Sequence, residues 1–154
     1  MTTELNPGDK APDFTLQTTD GPKRLKDFAG RHLVLYFYPK DDTPGCTQEA
    51  LDFTAHQDAF EAAGASVLGV SRDPVTKHAK FVAKHGLTVL LGSDETGEVS
   101  NAYGTWEEKS LYGRTYMGLV RRTFLISPKG KIVRVWPKVK VKGHAEDVLA
   151  ELAQ

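Results

Sequence analysis

The chain has 154 residues, 40% hydrophobic and 26% charged, which suits one domain that buries roughly 70% of its unfolded surface without a disulfide or metal staple. Twenty basic residues balance twenty acidic ones, so charge gives no case for nucleic acid or an anionic membrane as partner. The single cysteine, Cys46, excludes an intramolecular disulfide or a Cys-x-x-Cys dithiol and suits a reducing, cytoplasmic setting; neither a signal peptide nor a membrane span is read.

Residues 1–10 read as a polar lead-in. The stretch 13–25 alternates through Phe14 and Leu16 and turns at Asp20-Gly21-Pro22, which predicts a short hairpin. "HLVLYFY" (32–38) is a near-continuous apolar run, as expected of a strand buried on both faces. A helix is expected from Pro44 to Ala63, ending at Gly64, and then a second buried strand over 66–71. Asp73-Pro74 reads as an N-cap and first helical residue, opening a helix to His85. A third strand over 88–93 and a helical turn or two over 97–104 follow. Residues 105–120 have mixed polarity and little periodicity and read as a surface excursion. The segments 122–127 and 131–137 flank Ser127-Pro128-Lys129-Gly130 and predict an antiparallel hairpin, and 144–153 an amphipathic helix. This order means α/β with a mixed central sheet, in one domain spanning 1–154.

The strand over 32–38 leads into "PKDDTPGC". Thr43 has N-cap chemistry and Pro44 suits the first helical position, which puts Cys46 at the third. There the unpaired N–H groups and the positive end of the helix dipole favour a thiolate, and the Thr43 hydroxyl, three residues back, should lie near the sulfur. Ala50, Phe53 and Phe60 follow at helical offsets, so the sulfur should face inward. An ordinary thiol is only a few per cent thiolate at neutral pH, and making the thiolate dominant takes about 3–4 kcal/mol. A helix terminus supplies at most ~2 kcal/mol. A cation is therefore needed. Asp41 and Asp42 work against the thiolate, so Lys40 alone does not suffice; Arg121-Arg122, at the start of a later strand, is the better source. Residue chemistry alone leaves two readings open, an inert buried cysteine and a working thiol.

Together these residues resemble the peroxiredoxins, and within them the bacterioferritin comigratory protein or peroxiredoxin Q subgroup. The resemblance runs through "GDKAPDFTL", "YFYPKDDTPGCTQEA", "VLGVSRD", "LLGSDETGEVSNAYG", "RRTFLIS" and "GKIVRVW". Pro39, Thr43 and Cys46 meet the Pro-x-x-x-Thr-x-x-Cys signature, and Arg121 stands where the family's active-site arginine does. The resemblance implies a thioredoxin-like fold with an N-terminal hairpin. It also implies a thiol-dependent peroxidase in which Cys46 attacks hydrogen peroxide or an organic hydroperoxide and becomes a sulfenic acid. Thr43 and Arg121 would hold and polarise the peroxide, Pro39 would shield the sulfur, and Glu49 would orient Arg121, although a solvated first-turn carboxylate reads equally well. Many members carry a second, resolving cysteine five residues after the first. Leu51 stands there, and the helix after Asp73 has none. The expected reductant is therefore an external thiol: thioredoxin, glutaredoxin or glutathione. A monomer or weak dimer without cofactor is expected. The rival reading is a non-enzymatic peroxide sensor that passes its oxidation to a partner as a mixed disulfide.

Other signals are discounted. The five histidines show no metal-ligand spacing, and His78 and His85 read as a chance pairing on one helix face. No phosphate-cradling glycine pattern occurs. The alternating lysines of 137–144 read as the solvated face of an edge strand. Trp106 and Tyr116 are assigned to the core or to the rim of the pocket.

Overall fold

The computed structural model describes residues 5–153. A seven-stranded mixed sheet forms its centre, in the order β2-β1-β5-β4-β3-β8-β9. The hairpin β1 (Thr15–Thr18) and β2 (Gly21–Arg24) forms one edge, and the hairpin β8 (Arg122–Ile126) and β9 (Ile132–Trp136) forms the other. Between them β3 (His32–Phe37), β4 (Ala65–Ser71) and β5 (Leu90–Ser93) run parallel, while β8 lies antiparallel beside β3.

The apolar run of β3 divides the interior into two layers. Val34, Tyr36 and the following Tyr38 point into a core closed by α1 (Pro44–Ala55), α2 (Gln57–Ala62), α3 (Val75–His85) and α5 (His144–Leu152). Leu33, Leu35 and Phe37 point the other way, toward Phe124, Ile126 and Tyr103 beside α4 (Glu98–Ala102). Burial on both faces is why this strand reads as continuous apolar sequence rather than alternation. Gly69 of β4 pairs with Tyr36, and a Cβ there would sit 2.5 Å from the tyrosine ring, so only glycine lets that ring lie flat across the sheet. This is the thioredoxin-like arrangement expected, with the N-terminal hairpin added to its edge.

Four expectations are corrected. The helix expected over 44–63 breaks at His56, whose backbone leaves the helical region (φ −102°, ψ 10°) while its ring nitrogen Nδ1 reaches the Asp52 carbonyl at 3.0 Å. Even so, Phe60 returns to the same core as Cys46, Ala50 and Phe53. Asp73 does not cap α3: Pro74 is the capping residue, and the Asp73 carboxylate serves Asp41, Ser71 and Lys77. Residues 105–120 are not irregular but form a separate two-stranded hairpin, β6 (Trp106–Leu111) and β7 (Arg114–Leu119). Its turn, Tyr112-Gly113, has positive φ at both positions (51° and 77°), the primed geometry that fits the twist of paired strands. Finally, no strand includes the lysines of 137–144, which lie in the loop leading to α5.

Candidate active site

Cys46 occupies the third position of α1, after Thr43 at the N-cap and Pro44 at the first helical residue. It is a free thiol, only 2% exposed. The chain enters this helix from β3 through Tyr38–Asp42, so strand, turn and helix start place the sulfur at the carboxyl end of a central strand. The missing cation comes from 75 residues away. Because β8 pairs with β3, with Phe37 opposite Arg122, the residue just before β8 arrives beside the helix start. Arg121 donates from Nη2 to Cys46 Sγ at 3.3 Å and from Nη1 to Glu49 Oε1 at 2.7 Å. One guanidinium thus spans the sulfur and the carboxylate a turn below it.

Arg122 faces the other way. It donates to the carbonyls of Gly104 (2.7 Å) and Pro137 (3.2 Å) and pairs with Glu107 (3.1 Å). Neighbours in sequence alternate sides in extended chain, and this separates an arginine facing the thiol from one that ties loops together.

Glu49 is 1% exposed, so the reading of it as a solvated carboxylate is set aside. Burial raises its pKa to about 7 against the pull of Arg121, and its second oxygen has no partner among the described residues. The Tyr36 hydroxyl is likewise buried and unpaired, and burial followed by the Glu49 charge pushes its pKa well up. Burial works against the Arg121 charge, but Glu49 and Cys46 outweigh it and hold the guanidinium above its ordinary range.

Thr43 departs from simple capping. Its hydroxyl donates to the Lys40 carbonyl at 2.8 Å and makes no cap hydrogen bond. Pro39 is exposed, one residue past buried Tyr38. The two aspartates expected to oppose the thiolate are both turned to α3. Asp41 meets His78, and Asp42 meets Lys84 and His85. The two histidines therefore are not a chance pairing: both reach the loop that starts the Cys46 helix.

Three contributors are invisible in residue types alone. Gly45 lets Arg121 approach, since a Cβ there would sit 3.1 Å from Nη2. Lys109 of β6 feels the charges of both Arg121 and Cys46, and burial together with Arg121 lowers its pKa. His144, at the start of α5, lies 2.8 Å from the Thr123 hydroxyl and edge-on to Phe53 and Trp136, and burial holds its pKa down at about 4. Of the two aromatics assigned to core or rim, Trp106 is half-buried beneath the Arg72 guanidinium, 3.4 Å from the ring centroid, and Tyr116 is exposed.

A cysteine at a helix start, bridged by arginine to a buried carboxylate, is equipped for nucleophilic attack on a polar, charge-developing bond. Comparison with known proteins points the same way. Residues 7–135 match the model of the AhpC/TSA family. Peroxiredoxin Bcp of Bacillus subtilis is 44% identical, covering 99% of this chain and 96% of its own, and Peroxiredoxin Bcp of Xanthomonas campestris is 49% identical, covering 91% and 88%. A solved structure of a cysteine-to-serine mutant of PrxQ from Xylella fastidiosa superposes with a TM-score of 0.93 at 42% identity, covering 98% of this chain and 97% of that one. The chain belongs to the AhpC/TSA family, among the peroxiredoxins of the Bcp and Q group, and is a thiol peroxidase.

Proposed function

We propose that Cys46 reduces hydrogen peroxide and organic hydroperoxides, and that a thiol from outside the chain restores it. The Cys46 thiolate attacks the terminal peroxide oxygen. The S–O bond forms as the O–O bond breaks, and water or an alcohol leaves after taking one proton. Cys46 is left as a sulfenic acid, oxidised by two electrons. The first external thiol condenses with it, releasing water and forming a mixed disulfide. A second thiol displaces Cys46 and carries away the disulfide. Arg121 stabilises the sulfur before attack and the charge that grows on the peroxide oxygens during it, while Glu49 holds the guanidinium in place. Thr43 is assigned to hold the peroxide and Pro39 to shield the sulfur.

The single observation that carries this reading is the Arg121 bridge between Cys46 Sγ and Glu49. The one-cysteine cycle rests on the absence of any second cysteine in the chain. The alkyl peroxide reduction named for the Xanthomonas campestris bacterioferritin comigratory protein supports organic hydroperoxides as substrates, and the single free thiol supports a reducing compartment such as the cytoplasm. No helix among the described residues is long and apolar enough to cross a membrane.

The test is steady-state peroxide consumption with thioredoxin, glutaredoxin or glutathione as donor, alongside mass spectrometry of Cys46. Turnover with at least one donor, abolished in Cys46→Ser, is expected. Turnover that persists in Cys46→Ser overturns the assignment. Oxidation to a trapped mixed disulfide without turnover replaces it with the sensor reading.

A further inference from the structure

The loop that builds the pocket is gripped from behind by α3, in contacts that the chemistry at Cys46 does not itself require. His78 is fully buried. Its Nε2 lies 2.8 Å from the Gly92 carbonyl on β5, and its Nδ1 lies 2.5 Å from Asp41 Oδ2. The Tyr38 hydroxyl donates to the other Asp41 oxygen at 2.5 Å. A carbonyl only accepts, so Nε2 carries a proton and ties the ring to the sheet; a further proton lies between Nδ1 and the Asp41 carboxylate. The Asp41 backbone N–H donates to Asp73, which also receives Ser71 Oγ and Lys77.

An outer clasp stands beside this inner one. Asp42 sits at φ +60°, a left-handed conformation that costs a non-glycine residue free energy, and Lys84 (2.7 Å) and His85 (2.8 Å) hold it there. Asp41, Asp73 and His78 also bring possible metal-ligand atoms within 4.8 Å of one another. Each of those atoms is already spent on the hydrogen bonds just described, which makes the cluster a mechanical tie.

Building on the peroxidase reading, we infer that His78 and Asp41 are positioning residues: a buried latch that holds residues 39–43, and so the start of the Cys46 helix, closed over the sulfur. Closure has two opposed consequences. It keeps the sulfur against Arg121 for a small peroxide, and it hinders a bulkier thiol from reaching the oxidised sulfur, which is buried. A fully satisfied buried network fixes one geometry, and losing one member leaves a buried carboxylate short of a partner. Releasing the latch therefore slows oxidation and speeds reduction by an outside thiol, whereas a core change remote from the loop that leaves the protein folded should alter neither.

The test begins with hydrogen exchange on the reduced protein, without peroxide, in wild type and His78→Leu. Amides 41–47 are expected to exchange at least about tenfold faster in the variant. Stopped-flow measurement should then show sulfenic acid formation with hydrogen peroxide slowed about tenfold, and its reduction by glutathione accelerated several-fold. Ile132→Ala, a core change on the far β9 strand, serves as the stability control and should move neither rate constant. If His78→Leu does not fold, Lys84→Ala removes one of the two side chains that hold Asp42 and leaves in place His85, whose half-buried ring packs against core Phe81. It should shift all three readouts in the same directions by about two- to fivefold. Unchanged exchange over 41–47, or equal rate changes in Ile132→Ala, overturns the latch. A wild type inert to peroxide would instead overturn the peroxidase reading, and exchange alone would then decide the latch.

Discussion

The pocket around Cys46 and the hairpin β6–β7 meet at Leu119–Arg121, yet they are built in opposite ways. In the pocket, nearly every charged side chain has a short-range partner: Arg121 has Cys46 and Glu49, Asp41 has Tyr38 and His78, and Asp42 has Lys84 and His85. The hairpin strands pair only with each other. The hairpin, turn included, carries Leu111, Tyr112, Tyr116 and Met117, four of the five large hydrophobic side chains left exposed among the described residues. The hairpin is rooted by Trp106 beneath Arg72, by buried Leu119, and by the Val120 N–H donating to the Thr105 carbonyl. A two-stranded ribbon with so little packing is marginal by itself. On the proposed function, chemistry sits where contacts over-determine geometry, and the looser element lies beside it.

The largest effect is expected from removing each of the two adjacent arginines in turn. Arg121→Ala should slow sulfenic acid formation by about 10²–10³-fold, as loss of a preorganised donor does. Arg122→Ala removes contacts to Gly104, Pro137 and Glu107, and should cost stability while leaving the oxidation rate within about threefold. Stopped-flow oxidation of both variants decides the matter, and equal losses would dissolve the distinction between pocket and scaffold.

The pocket's burial should also be visible in stability against pH. Glu49 keeps its proton up to about 7 in the folded chain, well above its ordinary value of 4.5. Its contribution is thus fully present below pH 4.5 and is lost, by about 3 kcal/mol, as pH rises to 7. His144 behaves oppositely. Its folded pKa of about 4 against an ordinary 6.5 means that stability falls by about 3 kcal/mol as pH drops from 6.5 to 4. The two slopes nearly cancel in the wild type, so each substitution should unmask the other. Urea unfolding across about pH 4–8 should find Glu49→Gln newly sensitive to acid and His144→Asn newly sensitive to the rise from 4.5 to 7. A parallel pH profile for all three proteins would contradict both assignments.

A finer break is Gly45→Ala. The new methyl would press on Arg121 Nη2 from 3.1 Å, forcing a shift of a few tenths of an ångström at a contact whose geometry matters. Helix propensity favours alanine. Thermal stability should therefore hold or rise while oxidation slows about three- to tenfold, given that a displacement of about 1 Å costs ~10²-fold. An unchanged rate would mean that Arg121 has more freedom than its two hydrogen bonds imply.

How far the residues announce this site depends on how local each signal is. The strand, the Thr-Pro-Gly start and the inward cysteine are encoded within one short stretch, residues 32–53, and are legible there. Arg121 is legible as the candidate cation, but its placement needs β8 beside β3, a pairing that brings together residues 75 apart. Glu49 stays undecided in sequence for the same reason, since a carboxylate one turn past the helix start looks solvated until a distant arginine draws it inward. His78 and His85 look like chance because a helix face shows its spacing and not the loop it meets. The hairpin β6–β7 escapes a reading by pattern because its strands are largely exposed, leaving no alternation, and because Tyr112-Gly113 is a weaker turn signal than Asn-Gly. The break at His56 leaves no mark in the periodicity, because Phe60 still returns to the core of Cys46, Ala50 and Phe53.

Lys109 is the one element of the hairpin that reaches the pocket electrostatically, so it tests how separate the two regions are. It shares its face of the ribbon with Tyr116, its partner across the strands, and it makes no ion pair among the described residues. Burial, and then Arg121, disfavour its charge, while Cys46 and Glu107 favour it. A cation so placed should help hold negative charge at the sulfur, but from a half-exposed position where salt and water weaken it. Lys109→Met, which keeps the stem and removes the charge, should therefore slow oxidation only about two- to fivefold at low salt, and less as ionic strength rises. Stopped-flow oxidation across a salt series gives the measurement. A loss approaching that of Arg121→Ala would make the hairpin part of the pocket, whereas no salt-dependent loss at all would make it a bystander.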